Sequence, residues 1–322
     1  MAPDQSDDPN ISEALARRFG HVYARQRLGI EQDHEARVFG QGLNFFHPEN
    51  FYAAHSLVAL ALKLTGLYWR GRRNARDIRL KRNSIISANL PQAFDGFTIL
   101  HLSDLHVDTN EPAIARMNEL LDELRYDVCV LTGDYRGKTY GTVRSTLEGL
   151  ERVCAHLTGD VYGVLGNHDS IRMVPGMEAL GIRMLLNEAV EIAHEGQRIH
   201  LVGIDDAHYF RVDNIEKAAA QVPPEDFSIL LSHTPEVYRQ AAHADFDVML
   251  SGHTHGGQIC LPGSIPITLD STLPRRMGAG AWRYGDMQGY TSVGAGTSIV
   301  PVRINCFPEI TLHELRRGAS PL

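Results

Sequence analysis

An α/β fold with a helical N-terminal extension is predicted by three features of the chain. Short apolar runs of β type alternate with longer helical ones from Gly96 onward, five of the short runs end in clusters of Asp, Asn and His, and residues 1–95 carry helical spacing instead. Helices are expected at Glu111 to Leu124, Val143 to His156 and Val212 to Ala220. After Asn187 the runs shorten and turns become frequent; Glu195-Gly196 reads as a hairpin turn, and a second, more antiparallel sheet is expected there.

A chain of 322 residues accommodates one or two domains, and the natural division is a helical extension over 1–95 and a catalytic segment over 96–322. Hydrophobic residues at 43% and charged residues at 22% are ordinary for a globular protein. The formal charge of −8 supplies no positive field for a phosphate backbone, so no nucleic-acid partner is expected. Cys129, Cys154, Cys260 and Cys306 show no C-x-x-C spacing and read as reduced structural thiols. The first residues, Met1-Ala-Pro-Asp-Gln-Ser-Asp-Asp, are acidic where a secretory signal is basic, which points to the cytoplasm.

Within the extension, Ile11 to Arg27 and Phe51 to Trp69 have helical apolar spacing. The second stretch is interrupted by His55 and Lys63, too soon for a spanning helix of about 20 apolar residues. Arg70, Arg72, Arg73, Arg76, Arg79, Lys81 and Arg82 follow, against one acid, Asp77. Two readings of residues 51–82 stand side by side. An apolar helix followed by dense cations suits a peripheral site on the inner face of a membrane; a helix packed on the catalytic segment suits the same spacing.

The five polar clusters carry the chemistry. They are Ser103-Asp104-Leu105-His106, Thr132-Gly133-Asp134, Gly166-Asn167-His168-Asp169, Ser232-His233 and Gly252-His253-Thr254-His255. Ligands bind beyond the carboxyl ends of strands in open α/β sheets, so neighbouring strands would deliver these side chains to one place. Asp-x-His and His-x-His put alternate residues on one side of an extended segment. Carboxylate, imidazole and amide oxygen without thiolate suit divalent Mn, Fe, Zn or Mg. Seven ligands exceed one tetrahedral ion, whereas two metals bridged by a carboxylate use them all and favour phosphoester hydrolysis.

In these motifs, D-x-H at Asp104 to His106, G-D at Gly133-Asp134, G-N-H-D at Gly166 to Asp169, His233 and G-H-x-H at Gly252 to His255, the sequence resembles the calcineurin-like metallophosphoesterases over about Gly96 to Leu315. Ser251 to Gln258 and Tyr290 to Ser298, with Pro301 and Arg303, are similar to the bacterial YkuE-like branch. The resemblance implies a four-layer sandwich of two mixed sheets between helices. It further implies one metal on Asp104, His106, Asp134 and His255 and a second on Asp134, Asn167, His233 and His253, most commonly Mn²⁺. His168 would bind no metal and would protonate the leaving oxygen or stabilise transition-state charge.

Relatives in this branch look like UDP-2,3-diacylglucosamine pyrophosphatases, which makes a phosphodiester or pyrophosphate in a lipid-linked substrate the first expectation. A protein or small-molecule phosphomonoesterase and a non-catalytic scaffold of the same fold are the alternatives. Many family members read G-D-x-x-D-R-G, whereas this chain has Gly133-Asp134-Tyr135-Arg136-Gly137, so His168 must be oriented from elsewhere, with Asp169 the nearest candidate. Arg136 is read as a phosphate clamp or a loop ion pair. Asp205-Asp206 is expected to be structural; His101 and His208 are structural, lie behind the ligands or face the substrate.

Overall fold

The apolar runs become strands that send alternate side chains into two different layers. In β2 (Thr98–Leu102) Ile99 enters one layer while Leu100 and Leu102 enter another, and in β3 (Val128–Leu131) Val128 and Val130 face opposite to Cys129 and Leu131. Period-two alternation with both faces apolar is what a sheet covered on two sides requires. The computed structural model describes residues 9–40, 52–298 and 300–319.

The first sheet has β1 (Arg79–Ser87), β14 (Glu309–Arg317), β2, β3, β4 (Asp160–Gly163) and β5 (Ile182–Met184) in that spatial order. The second has β12 (Gly280–Tyr284), β13 (Met287–Thr291), β9 (Val248–Ser251), β8 (Ser228–Leu231), β7 (Gln197–Gly203) and β6 (Glu188–His194). Their inner faces meet through Ile99, Val130, Val164, Leu201, Ile229 and Leu250. Outside the first sheet pack α1 (Pro9–Phe19), α2 (His21–Gly40), α5 (Glu111–Asp122), α6 (Arg144–Cys154) and α7 (Val174–Ala179); outside the second pack α8 (Ile215–Ala219) and α9 (Tyr238–His243). Four layers result, as the resemblance implied.

The second sheet is the more antiparallel of the two, as expected, with antiparallel pairing of β12 with β13 and of β6 with β7 against β14 with β2 alone in the first. Its centre is nevertheless parallel, through β13 with β9, β9 with β8 and β8 with β7. The crossovers α8 and α9 have five and six residues, short enough to be mistaken for turns. The Glu195-Gly196 hairpin does form, with φ of 46° and 76°. One sequence-based expectation needs correction: within residues 1–95, expected to be helical, residues 79–87 form β1, which pairs in parallel with β14 from Arg79 opposite Glu309 to Ser87 opposite Arg317. Its charges are those of an edge strand, where they discourage pairing with other chains and mask the apolar pattern.

The Ile11 to Arg27 stretch divides at Gly20, where φ is 89°. Leu15 of α1 and Ala24 of α2 join the core beneath the first sheet. The later helices α3 (Tyr52–Leu64) and α4 (Leu67–Asn74) lay Leu62, Leu67 and Tyr68 on Val300, Val302 and Ile304, while Leu60, Leu64 and Trp69 stay exposed. Gly71 makes that approach possible, since a Cβ there would lie 2.7 Å from Val302 Cβ. Phe51 lies outside the described residues. Among the described residues, no helix is long and apolar enough to cross a membrane.

Leu250 is fully buried between the sheets and Leu64 is 80% exposed. Leu250→Ala should cost about 2–5 kcal/mol in urea unfolding through the cavity it leaves, against about 0.5 kcal/mol or less for Leu64→Ala. Similar losses for both would contradict the layer assignment.

Candidate metal centre

The five clusters lie beyond the carboxyl ends of β2, β3, β4, β8 and β9, and each leaves its strand on a tight turn. Asp104, His106, Asp134, His253 and His255 have φ of 49°, 41°, 56°, 71° and 49°, a left-handed backbone that Asp and His tolerate better than most residues. The expectation that extended alternation aligns each pair is therefore wrong in its geometry. The side chains converge because the backbone turns at each of them, not because it runs straight.

Close contact between the turns explains the motif glycines. A Cβ on Gly252 would overlap Ser103 Oγ and Asp104 Oδ2, and one on Gly166 would overlap Asp134 Oδ1. Only glycine permits these approaches.

Two groups of metal-competent atoms form. In one, ligand atoms of Asp104, His106 and His255 lie within 4.8 Å of one another; in the other, those of Asp134, His233 and His253 do. Asn167 Oδ1 joins the second, 2.9 Å from His233 Nε2. The outer nitrogens fix the tautomers. His106 Nδ1 donates to the Arg136 carbonyl at 2.8 Å and His233 Nδ1 to that of Thr132 at 2.7 Å, so each Nε2 faces the site and can hold either a metal or a proton there. A lone pair of His233 facing the amide oxygen of Asn167 needs a cation between them, either a proton or a metal. His106 Nε2 likewise faces His255 Nε2 at 3.2 Å. The donor set therefore fits a pair of divalent ions.

His255 is braced from behind by the buried Arg303, whose Nη1 donates to the His255 carbonyl at 2.9 Å. Nη2 has two hydrogens, and its shortest acceptors, the carbonyls of Gly296 at 2.6 Å and Val293 at 2.7 Å, take them. Nη2 also lies 3.1 Å from His255 Nδ1. This binding also closes the 293–296 loop over Asp104, whose carbonyl accepts from Gly296 N–H at 2.7 Å.

Burial opposes every charge here, and opposite neighbours decide which groups carry one. For Asp134 the His233 and His168 rings outweigh burial and hold its carboxyl well below the usual carboxylate range. Asp104, favoured less, is raised by burial and by the charge of Asp134. Burial lowers His233, but Asp134 outweighs it and pushes the ring up to about 10. His255 is held well below the ordinary histidine range by burial and then by Arg303, which keeps its lone pair free.

A sequence model of the calcineurin-like phosphoesterase family matches residues 97–257, half of the chain. The chain belongs to that family. It is 29% identical over 270 residues to the metallophosphoesterase YkoQ of Bacillus subtilis strain 168, covering 80% of this chain and 98% of the relative. It is 29% identical over 235 residues to the phosphodiesterase YaeI of Escherichia coli K12, covering 68% and 82%. A transmembrane protein with metallophosphoesterase domain from Danio rerio is 30% identical over 248 residues, 71% of this chain and 55% of that protein, so the chain spans about half of its length. This phosphoesterase is a metal-dependent hydrolase of phosphoester bonds.

Around the phosphoesterase site, Asp169 and Arg136 behave otherwise than the sequence suggested. Asp169 does not orient His168: its carboxylate accepts the backbone N–H of Asp134 at 2.7 Å, Gly166 at 2.8 Å and Tyr135 at 3.0 Å, and so ties two ligand turns together. Thr139 contacts His168, with its Oγ1 2.9 Å from Nδ1, and nothing in the sequence signals this because Thr139 sits in an unremarkable loop. Arg136 is no phosphate clamp; it is buried, with Nη2 donating to the carbonyls of Tyr140 at 2.8 Å and Gly141 at 3.1 Å.

The other readings hold their structural sense. His101 is buried against Thr132 and His313, and burial lowers its ring to about 3. Asp206 caps the backbone N–H groups of His208, Tyr209 and Phe210. His208 pairs with Glu236 at 2.8 Å and sets its ring 4.3 Å from that of His253.

Gly252→Ala should force Ser103 and Asp104 aside, costing about 1–3 kcal/mol by overpacking and lowering Mn²⁺ content in equilibrium dialysis. Wild-type stability and metal content would contradict the close approach.

Proposed function

We propose that this phosphoesterase cleaves a phosphodiester or pyrophosphate bond in a lipid-linked substrate, using two divalent ions, manganese foremost, and His168 as proton donor. One observation carries the substrate reading. A cavity of about 420 Å³ is lined both by Asp134, Asn167, His168, His253 and His255 and by the apolar Val58, Leu62, Ile259, Ile267 and Val300. A soluble nucleotide or phosphopeptide gains nothing from such walls, whereas an acyl chain gains about 0.8 kcal/mol per buried methylene. A substrate of the UDP-2,3-diacylglucosamine kind has the phosphate and the chains in the required order, and a relative named a phosphodiesterase favours the diester over the monoester.

Asp104, His106, Asp134 and His255 hold one ion in this reading, and Asp134, Asn167, His233 and His253 the other, with Asp134 shared. When bound, such a pair neutralises phosphoryl oxygens and makes water acidic enough to attack near neutral pH. The chain's own contributions are position and a proton. Thr139 holds Nδ1 of His168, and the opposite nitrogen lies 4.0 Å from Asp134 Oδ2, facing the space the phosphate would fill. From there it can protonate the leaving oxygen, a step worth about 10²- to 10⁴-fold.

The cavity mouth suits a peripheral position on the inner, anionic face of a membrane. Leu60, Leu64 and Trp69 on α3 and α4, and Leu261, Ile265 and Ile267 on the hairpin β10 (Cys260–Leu261) and β11 (Ile265–Pro266), are all at least half exposed. Arg70, Arg72, Arg73 and Arg76 are exposed beside them. Apolar side chains entering the headgroup boundary, with cations worth about 1 kcal/mol each at an anionic surface, form a binding face.

In mixed micelles with Mn²⁺, kcat/KM for a nucleotide-linked diacyl lipid should exceed that for a small soluble diester by at least about tenfold, the effect of 1.4 kcal/mol or two buried methylenes. Equal values would contradict the lipid-linked substrate. Separately, Leu64→Glu with Trp69→Glu should abolish most co-sedimentation with anionic liposomes, and wild-type pelleting should weaken in high salt. Unchanged pelleting of the double variant would contradict the membrane face.

A further inference from the structure

Helix α2 lies outside the segment matched to the family, residues 97–257, yet one face of it reaches the back of the site. Arg27 is fully buried. Its Nε donates to Asp205 Oδ2 at 3.0 Å, Nη1 to Glu31 Oε1 at 2.7 Å and Nη2 to the Asp169 carbonyl at 3.3 Å. Its guanidinium lies 3.8 Å from the ring centre of Phe210. Glu31 accepts from Ile171 N–H at 2.7 Å, Ser170 Oγ at 2.6 Å and Arg172 Nη1 at 2.9 Å. Tyr23 completes the face through its hydroxyl on Asp205.

These contacts grip two loops at once. Residues 169–172 directly follow Asn167 and His168, and the 205–210 turn carries His208, which lies against His253. A buried ion pair adds little net stability over a well-packed apolar pair, because desolvation offsets the attraction; what it supplies is a fixed geometry. Apart from its pairing with Arg27, Glu31 bonds to Ser170, Ile171 and Arg172, on the segment that follows His168.

We propose that Glu31 and Arg27 are positioning residues for His168, which makes the N-terminal helix pair a working part of the active site. The inference rests on His168 being the proton donor. With α2 in place, the 169–172 loop is pinned at its backbone and at two side chains, and the His168 ring is held over the leaving oxygen. Without Glu31 the loop relaxes, and a shift of about 1 Å in a catalytic group costs on the order of 10²-fold.

The test uses full-length enzyme loaded with Mn²⁺ and two small diesters, one with a nitrophenyl and one with an alkyl leaving group. Glu31→Ala should lower kcat on the alkyl diester roughly 10- to 100-fold, with a smaller loss on the nitrophenyl diester and unchanged KM and metal content. Glu31→Gln, whose amide oxygen can still accept from Ile171 N–H while its NH2 can donate to Ser170 Oγ, should recover much of the rate. Glu31→Ala combined with His168→Ala should be no slower than His168→Ala alone, because residues that act through one group are not additive. If Glu31→Ala does not fold, Ser170→Ala cuts the same contact from the loop side and enters the same cycle. Losses that multiply in the double variant, or that fall equally on both leaving groups, would overturn the inference. A His168→Ala enzyme equally slow on both diesters would overturn the proton-donor assignment, and this inference with it.

Discussion

A carboxylate buried away from water ordinarily takes up a proton, since desolvation of its charge outweighs most compensation. Asp134 is 2% exposed and remains ionised because His233 Nε2 lies 3.3 Å from it and the backbone N–H of His168 donates to it at 3.0 Å. Much of the site follows from keeping that charge in place. The turn that points Asp134 inward needs a left-handed backbone, the neighbouring turn needs glycine at 166, and Asp169 is spent on the Asp134 amide rather than on His168. The same concentration of negative charge in a dry cleft is what attracts and holds divalent cations.

The parts of this arrangement that were legible in the sequence are those with a local signature. Apolar runs ending in Asp, Asn or His marked the strands and the residues that converge at their ends, because a strand buried on both faces must be apolar and its terminus is where function can sit. What was not legible depends on contacts between distant segments. Thr139 reaches His168, Arg303 reaches His255, and Asp169 turns away from the residue beside it, none of which spacing can report. Strand β1 was hidden by its edge charges, and the parallel centre of the second sheet by crossovers barely longer than turns.

The N-terminal helices meet the site from two directions. α2 lies behind it, gripping the loops that carry His168 and His208, while Val58 and Leu62 of α3 form part of the cavity wall in front. A segment that reads in the sequence as an appendage thus takes part in both the support of the site and the shape of its entrance.

Sharing of Asp134 by two ions can be seen by anomalous diffraction from crystals grown with Mn²⁺. Two peaks about 3.5–4 Å apart are expected, one beside Asp104, His106 and His255 and the other beside Asn167, His233 and His253, with the Asp134 carboxylate between them. A single peak, or a second one displaced to His208 and Asp270 and out of reach of Asp134, would contradict it.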